Sequence, residues 1–291
     1  MDINYELYKV FYHVANTLSF SEASKQLFIS QSAVSQSIKV LEKKLNQTLF
    51  IRSTKRVQLT PEGEILLKHI EPAMNLIKQG ENQLLEANTL NGGQLRIGAS
   101  DTICRYYLVP YLKEFHRKYP NVHIKVTNQT SIACAKLLES GQVDFSITNY
   151  PNSGLSNTQN IRIIHEFHDV FVANEEYSDL KGKKISLQEL KTYPILMLDR
   201  KSTTSEFLHS MFQRHQLDLV PEIELSSNDL LIDLARIGLG IAFVPDYCIP
   251  KNEQGLFIVN LNETLPTRQM VVAYNENLPI SQAAKQFMEM L

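Results

Sequence analysis

Cysteine is scarce in this chain. Cys104, Cys134 and Cys248 are an odd number, widely spaced and without a Cys-x-x-Cys pair, which argues against a disulfide framework and a thiolate zinc site. Long apolar runs are missing as well. No window approaches the roughly 18 consecutive apolar residues that suggest a membrane span. The opening MDINYELYKV lacks the basic segment and apolar stretch of a secretory signal. These absences predict a cytoplasmic protein with no membrane partner. The histidines do not group. His165 and His168 are three apart on a segment that reads as extended, which puts them on opposite faces, and His209 and His215 share no helical face. No metal site is expected. Gly238-Leu239-Gly240 follows a helical segment rather than a strand, so it is not a dinucleotide fingerprint. No serine, cysteine or histidine stands beside a plausible base in a nucleophile motif, and neither catalysis nor a cofactor is expected.

What is present is length and a charge asymmetry. The 291 residues suffice for more than one domain, and a hydrophobic content of 43% is ordinary for a soluble protein. The net charge of −2 conceals a basic start. Residues 1–60 hold Lys9, Lys25, Lys39, Lys43, Lys44, Arg52, Lys55 and Arg56 against Asp2, Glu6, Glu22 and Glu42, so the remainder is acidic. A basic small segment beside an acidic large one hints at a polyanion partner for the first part.

Leu7, Phe11, Val14 and Leu18 are spaced 4, 3, 4, one stripe of an α-helix. Ser19 or Ser21 caps a second, short helix with Ala23 and Leu27 inward. Phe28-Ile29 is a tight connection, and Ser30 caps a third helix, SQSAVSQSIKVLEKKL. On a wheel of about 100° per residue, Val34, Ile38, Leu41 and Leu45 fall within roughly 60° of arc. Ser32, Gln36, Lys39 and Lys43 lie opposite, with Gln31, Ala33 and Ser35 near the start. Short hydroxyls and amides there can reach base edges, while the later lysines meet phosphates. A short helix, a tight turn and such a helix form a helix-turn-helix. Leu49-Phe50-Ile51 and Val57-Gln58-Leu59 read as a hairpin carrying Arg52, Lys55 and Arg56, a basic wing suited to the phosphate backbone. Thr60-Pro61 then opens another helix.

Ala23–Leu27, Ser30-Gln31-Ser32-Ala33-Val34-Ser35, Leu41-Glu42, Leu45, Leu49-Phe50, Arg52 and Leu59-Thr60-Pro61-Glu62-Gly63 together resemble the N-terminal signature of LysR-type transcriptional regulators. Asn46 stands where that family usually has glycine, and asparagine tolerates the left-handed conformation. Gln36 stands where many members carry arginine, which alters the expected base preference at one operator position. The resemblance implies DNA-binding residues Gln31, Ser32, Ala33, Ser35, Gln36, Lys39, Lys43, Arg52, Lys55 and Arg56.

From Pro61 to about Asn88, Leu66, Ile70, Ala73, Ile77 and Leu84 fit steps of 4 and 3, with Gly80 in the remaining slot. This heptad seam predicts dimerisation through a partner helix; packing back on its own domain is the other reading. Pro72 predicts a kink. In the family this helix pairs antiparallel with its mate, so two DNA-binding heads face a two-fold related operator. The family usually forms tetramers, and RNA polymerase is a further candidate partner.

Asn91-Gly92-Gly93 marks a boundary. Beyond it strands and helices alternate: strands at 94–99, 123–128 and 143–148, helices at 102–116 and 132–139, then an extended crossing at 161–173 and a looser repeat. The pattern predicts βαβ units and parallel sheets. It resembles the type 2 periplasmic-binding-protein fold, which is also the LysR effector domain. Leu108-Val109-Pro110, Gly141-Gln142-Val143-Asp144-Phe145 and Gly238–Pro245 echo that family. The expected fold class is therefore α/β. Residues 1–60 form a winged helix-turn-helix, 61–90 a long linker helix, and 91–291 a two-lobed effector domain. Lobe I covers about 91–161 and 267–291, and lobe II about 162–266.

A ligand is expected where strands end and helices begin, between the lobes, because helix N-termini suit anions. The residues are Ser100, Asp101 and Thr102, Thr130 and Ser131, Ser202, Thr203 and Thr204, and Ser227 with Asn228. Each is also an ordinary helix cap. The expected effector is a small organic anion with Lys201 or Arg105 as counter-charge. Two alternatives stay open: a thiol switch at Cys104 and Cys134, with Cys104 near a helix start where a thiolate is stabilised, and a solute sensor that never touches DNA.

Overall fold

The computed structural model describes residues 3–52, 56–87, 93–156, 159–250, 255–276 and 278–291. It divides into two units: Met1–Asn88 with Ser140–Gln142, and Thr89–Glu139 with Val143–Leu291.

The first unit begins with three helices, α1 (Tyr5–Thr17), α2 (Phe20–Leu27) and α3 (Gln31–Leu45). Asn4, Ser19 and Ser30 cap them, each accepting a backbone N–H of the first turn. The apolar stripes meet in one core of Phe11, Val14, Ala23, Val34, Ile38 and Leu41. Leu18 departs from the expected stripe. It lies past the end of α1 in the left-handed conformation and is exposed. Asn46 takes the same conformation at the end of α3 (φ 52°). The hairpin follows: β1 (Phe50–Arg52) pairs antiparallel with β2 (Val57–Leu59), and Leu49 and Phe50 close the core.

Next comes α4 (Pro61–Ala87), which continues through Pro72. Thr60 explains the Thr-Pro-Glu-Gly start. Its hydroxyl donates to the Thr48 carbonyl (2.7 Å) and accepts the Gly63 N–H (3.0 Å). Gly63 is required by proximity: a Cβ there would sit 2.3 Å from the Leu49 carbonyl oxygen. Gly63→Ala is expected to destabilise the first unit by about 1–3 kcal/mol, because backbone must move to admit a methyl. Thermal unfolding followed by circular dichroism measures it, and an unchanged midpoint would contradict this packing. The heptad seam divides in two. Leu66 and Ile70 are half-buried and pack on the core of their own unit. Ala73, Ile77 and Leu84 remain exposed.

The second unit holds two sheets. In the first, β3 (Gly93–Ala99) leads into α5 (Asp101–Ile103), a π-turn Cys104–Leu108 and α6 (Val109–Lys118). Then come β4 (Val122–Asn128), α7 (Ser131–Glu139), β5 (Phe145–Tyr150) and β6 (Asn160–Phe167). The second sheet contains β7 (Asp169–Ala173), β8 (Lys184–Ile185), β9 (Ile195–Leu198), β10 (Ile223–Leu225), β11 (Ile241–Pro245) and β12 (Phe257–Leu261), with helices α8 (Leu187–Leu190), α9 (Thr203–Arg214) and α10 (Asn228–Arg236). The chain returns to the first sheet with β13 (Arg268–Tyr274) and closes with α11 (Gln282–Met290). The orders are β4-β3-β5-β13-β6 and β10-β9-β11-β7-β12-β8. Phe115, Phe145 and Phe287 fill the first lobe, and Phe171, Phe212 and Phe243 the second.

Two features differ from the expectation. The sheets are mixed, because β13 runs antiparallel to β5 and β6, and β7 antiparallel to β11 and β12. The lobe boundary also shifts from residue 161 to His168. All of β6 pairs with β13 in the first sheet, so 162–167 belong to lobe I.

Candidate functional site

In the first unit, Gln31, Ser32, Ala33, Gln36, Lys39 and Lys43 are exposed on α3, and Ser35 is half-buried. Val34, Ile38 and Leu41 on the opposite side have no accessible surface. The helix therefore presents one continuous polar face, with amides and hydroxyls toward its start and lysines toward its end. Arg56 on the wing is exposed; Lys55 lies outside the described residues.

Arg52 is placed differently from the expectation of a phosphate-facing cation. Its guanidinium lies over the Phe20 ring at 4.4 Å, donates to Ser35 Oγ at 3.1 Å and sits 3.7 Å from the Glu42 carboxylate. Glu42 in turn accepts the backbone N–H groups of Leu49 (2.9 Å) and Phe50 (3.3 Å). Together the two residues lock the wing strand to the recognition helix. Sequence reasoning placed Glu42 in the family signature but missed this role. Its carboxylate works across a chain reversal that no local pattern encodes.

In the second unit a cavity of about 380 Å³ opens between the two lobes. Ser100, Asp101, Thr102, Thr130 and Ser131 line it from lobe I. Ser202, Thr203, Thr204, Ser227 and Asn228 line it from lobe II. The expected convergence is thus observed for ten of the residues. Lys201 does not line it, and Arg105 is committed elsewhere, 3.5 Å from Asp229 and stacked near the Tyr106 ring. The expected counter-charge is therefore absent from the wall. Asp199 and Asn149 are lining residues that the sequence reading overlooked.

Four of the hydroxyls serve as helix caps. Ser100, Thr130, Ser202 and Ser227 each accept an N–H of their own helix, at 3.1–3.3 Å. The starts of α7, α9 and α10 also stand at this wall, and a helix start leaves backbone N–H groups without an intrahelical partner. Across the cleft, Asn228 Nδ2 donates to Thr102 Oγ1 (3.0 Å), and the Tyr106 hydroxyl donates to Asp229 (2.6 Å). Beneath it, Arg268 at the start of β13 donates to Asp169 at the start of β7 (2.8 Å) and to Thr204 Oγ1 (3.1 Å). Both charged side chains are buried. This pair joins the two strands that carry the chain across the hinge.

The thiols behave contrary to a redox switch. Burial, reinforced by the Asp101 carboxylate, pushes Cys104 up to about 11, and burial pushes Cys134 up to about 12. The helix start expected to stabilise a thiolate is outweighed by desolvation. Cys104 also belongs to a π-turn rather than a regular first turn. At pH 8 the native protein should react with iodoacetamide on the order of a hundredfold more slowly than the denatured chain, since only a trace of thiolate is present. Rapid alkylation of Cys104 at neutral pH would contradict this.

Among the described residues no helix is long and apolar enough to cross a membrane. Residues 5–64 match the family described as bacterial regulatory helix-turn-helix protein, lysR family, and residues 88–291 match the LysR substrate binding domain. A probable RuBisCO transcriptional regulator of Trichormus variabilis is 29% identical over 276 residues, covering 92% of this chain and 82% of that protein. Among solved structures, the LysR family regulator CbnR superposes with a TM-score of 0.64 at 17% identity, covering 99% of this chain and 97% of CbnR. The regulatory domain of Synechocystis CcmR in complex with 2-PG gives 0.62 at 20% identity, covering 68% of this chain and 95% of that domain.

Proposed function

This chain belongs to the LysR family of bacterial transcriptional regulators, and on that premise we propose which of its residues carry the function. It is a DNA-binding regulator with a small-molecule effector domain. The polar face of α3 enters the major groove, with Gln31, Ser32, Ala33, Ser35 and Gln36 at base edges. Lys39, Lys43, Lys55 and Arg56 contact phosphates. Arg52 acts at the edge of this face, holding Ser35 and the wing in place. Ala73, Ile77 and Leu84 form the dimer seam, so that two heads meet a two-fold related operator, and two dimers assemble into a tetramer. The cavity between the lobes binds the effector and couples its occupancy to lobe closure and DNA bending. The protein acts in the cytoplasm without catalysing a reaction.

The observation that carries this reading is the two-sided burial of α3: an apolar side with no accessible surface and an exposed side of amides, hydroxyls and lysines. Fluorescence anisotropy with full-length protein and the DNA upstream of its own gene tests it. The expected result is a complex that weakens steeply with salt and is at least about a thousandfold tighter than with random duplex. Equal affinity for both duplexes would exclude a sequence-specific regulator, and no complex at modest ionic strength would leave only a solute sensor.

A further inference from the structure

We propose that Tyr106 is a bolt between the two lobes: its ring sits on the apolar core of lobe II, Asp229 holds its hydroxyl, and the cleft opens when that bond is released. The bearing on effector entry rests on the reading of the cavity as the effector site. The bolt itself is tested with neither effector nor DNA, so the two can fail separately.

Tyr106 belongs to lobe I, in the π-turn Cys104–Leu108 between α5 and α6. Turns of this wide type recur at functional sites. The apolar cluster it joins is that of lobe II. Val172, Leu196, Leu231, Val244 and Cys248 are buried there, and Tyr106 packs on them half-buried. Among the described residues no other apolar side chain of lobe I packs on that cluster. The Tyr106 ring centroid is also 6.4 Å from that of Tyr247, which packs on the cores of both lobes.

The polar end is held as well. The Tyr106 hydroxyl donates to Asp229 Oδ1 at 2.6 Å, the short distance of a bond to an ionised acceptor. Burial and this bond together push the hydroxyl far above its ordinary range, so it remains a donor at physiological pH. Arg105 Nε lies 3.5 Å from the same oxygen, and the neighbouring Asn228 takes Thr102 at 3.0 Å. One turn of lobe I is thus tied to one helix start of lobe II. Thr102 and Asn228 line the cavity, whereas Tyr106 and Asp229 do not. Parting Thr102 from Asn228, as opening requires, draws the Tyr106 ring off its cluster. That exposes apolar surface at a cost, so both ends of the side chain favour closure. A first-turn aspartate favours its own helix in any case, which is why the decisive variant removes the tyrosine hydroxyl rather than the carboxylate.

Cys248 reports the opening. It is 1% exposed and belongs to the cluster that receives the Tyr106 ring, so withdrawal of the ring uncovers it. The full-length protein is labelled with N-ethylmaleimide, and mass spectrometry resolves the rate at each of the three cysteines. Tyr106→Phe keeps the ring and loses the hydroxyl. It should speed labelling of Cys248 about tenfold or more, as removal of a hydrogen bond to a charged group implies. Cys134, buried in lobe I, should stay as slow as in the native protein. Asp229→Ala should act in the same direction. The double variant should label no faster than Asp229→Ala alone, because both changes break one bond. Native-rate labelling of Cys248 in Tyr106→Phe overturns the bolt. So do rates that multiply in the double variant, and so does a parallel rise at Cys134, which reports general loosening instead of lobe opening.

Discussion

Arg268→Met lowers the stability of the effector domain by about 3–5 kcal/mol, because it leaves the Asp169 carboxylate buried without its partner. In the native protein both side chains are at most 1% exposed and 2.8 Å apart. Burial pushes the Asp169 carboxyl up, and the Arg268 guanidinium opposes that push. The guanidinium also lies between the rings of Phe167 and Phe207, at 5.4 and 5.0 Å. Its Nε and Nη2 and the Asp169 Oδ1 have no hydrogen-bond partner among the described residues, so the pair is costly even when intact. Asp169→Leu should destabilise as strongly as Arg268→Met. The double variant should recover most of the loss, since two apolar side chains of similar bulk need no charge compensation. Chemical denaturation followed by circular dichroism or tyrosine fluorescence reads the cycle, as the chain has no tryptophan. Additive losses in the double variant would show that the two charges do not compensate each other. The hinge position gives the prediction a functional edge. A recovered double variant should fold and bind DNA, yet respond differently to effector, because the polar tie between the two crossing strands is gone.

The second large effect concerns α3. Gln31→Ala and Gln36→Ala are each expected to cost about 1–3 kcal/mol on the operator and little on random duplex, because each removes a base-edge contact. Lys39→Ala and Lys43→Ala should weaken both duplexes alike and reduce the slope of log affinity against log salt by about 1 each. Arg52→Ala belongs to neither class. It should lower operator affinity with a smaller change in salt slope than the lysine variants, since its exposed guanidinium is shared with Glu42, Ser35 and the Phe20 ring. Anisotropy titrations at several salt concentrations measure all three behaviours. If the glutamine variants lost affinity equally on operator and random duplex, α3 would not be reading bases.

Much of this was legible along the chain because the relevant physics is local. A 4-3-4 spacing places Phe11 and Val14 inward whatever the neighbours are, and a serine before a helix caps it wherever it stands. The convergence of the ten cavity residues was readable for the same reason: each begins a helix after a strand, and α/β topology sends those starts to one side. The errors have a common cause. Spacing presents Arg52 and Arg105 as available cations, yet each lies beside a carboxylate from another element, Glu42 and Asp229. Leu66 and Ile70 fit a dimer seam by spacing, and spacing cannot say whether a helix face meets its own domain first.

Legible from residue order alone were the family, the helix-turn-helix with its wing, the alternation that builds the effector domain, and the residues that begin its helices. The elements follow from periodicity, capping and turn chemistry within a few residues, and the family from the resemblance of its motifs. Only the tertiary structure decided which charges stay available, where the lobes divide, that the thiols are held protonated, and that the cavity wall is acidic. Those outcomes depend on burial and on partners distant in the chain, such as Asp169 and Arg268, and charge pairing and desolvation exist only once the chain has closed on itself.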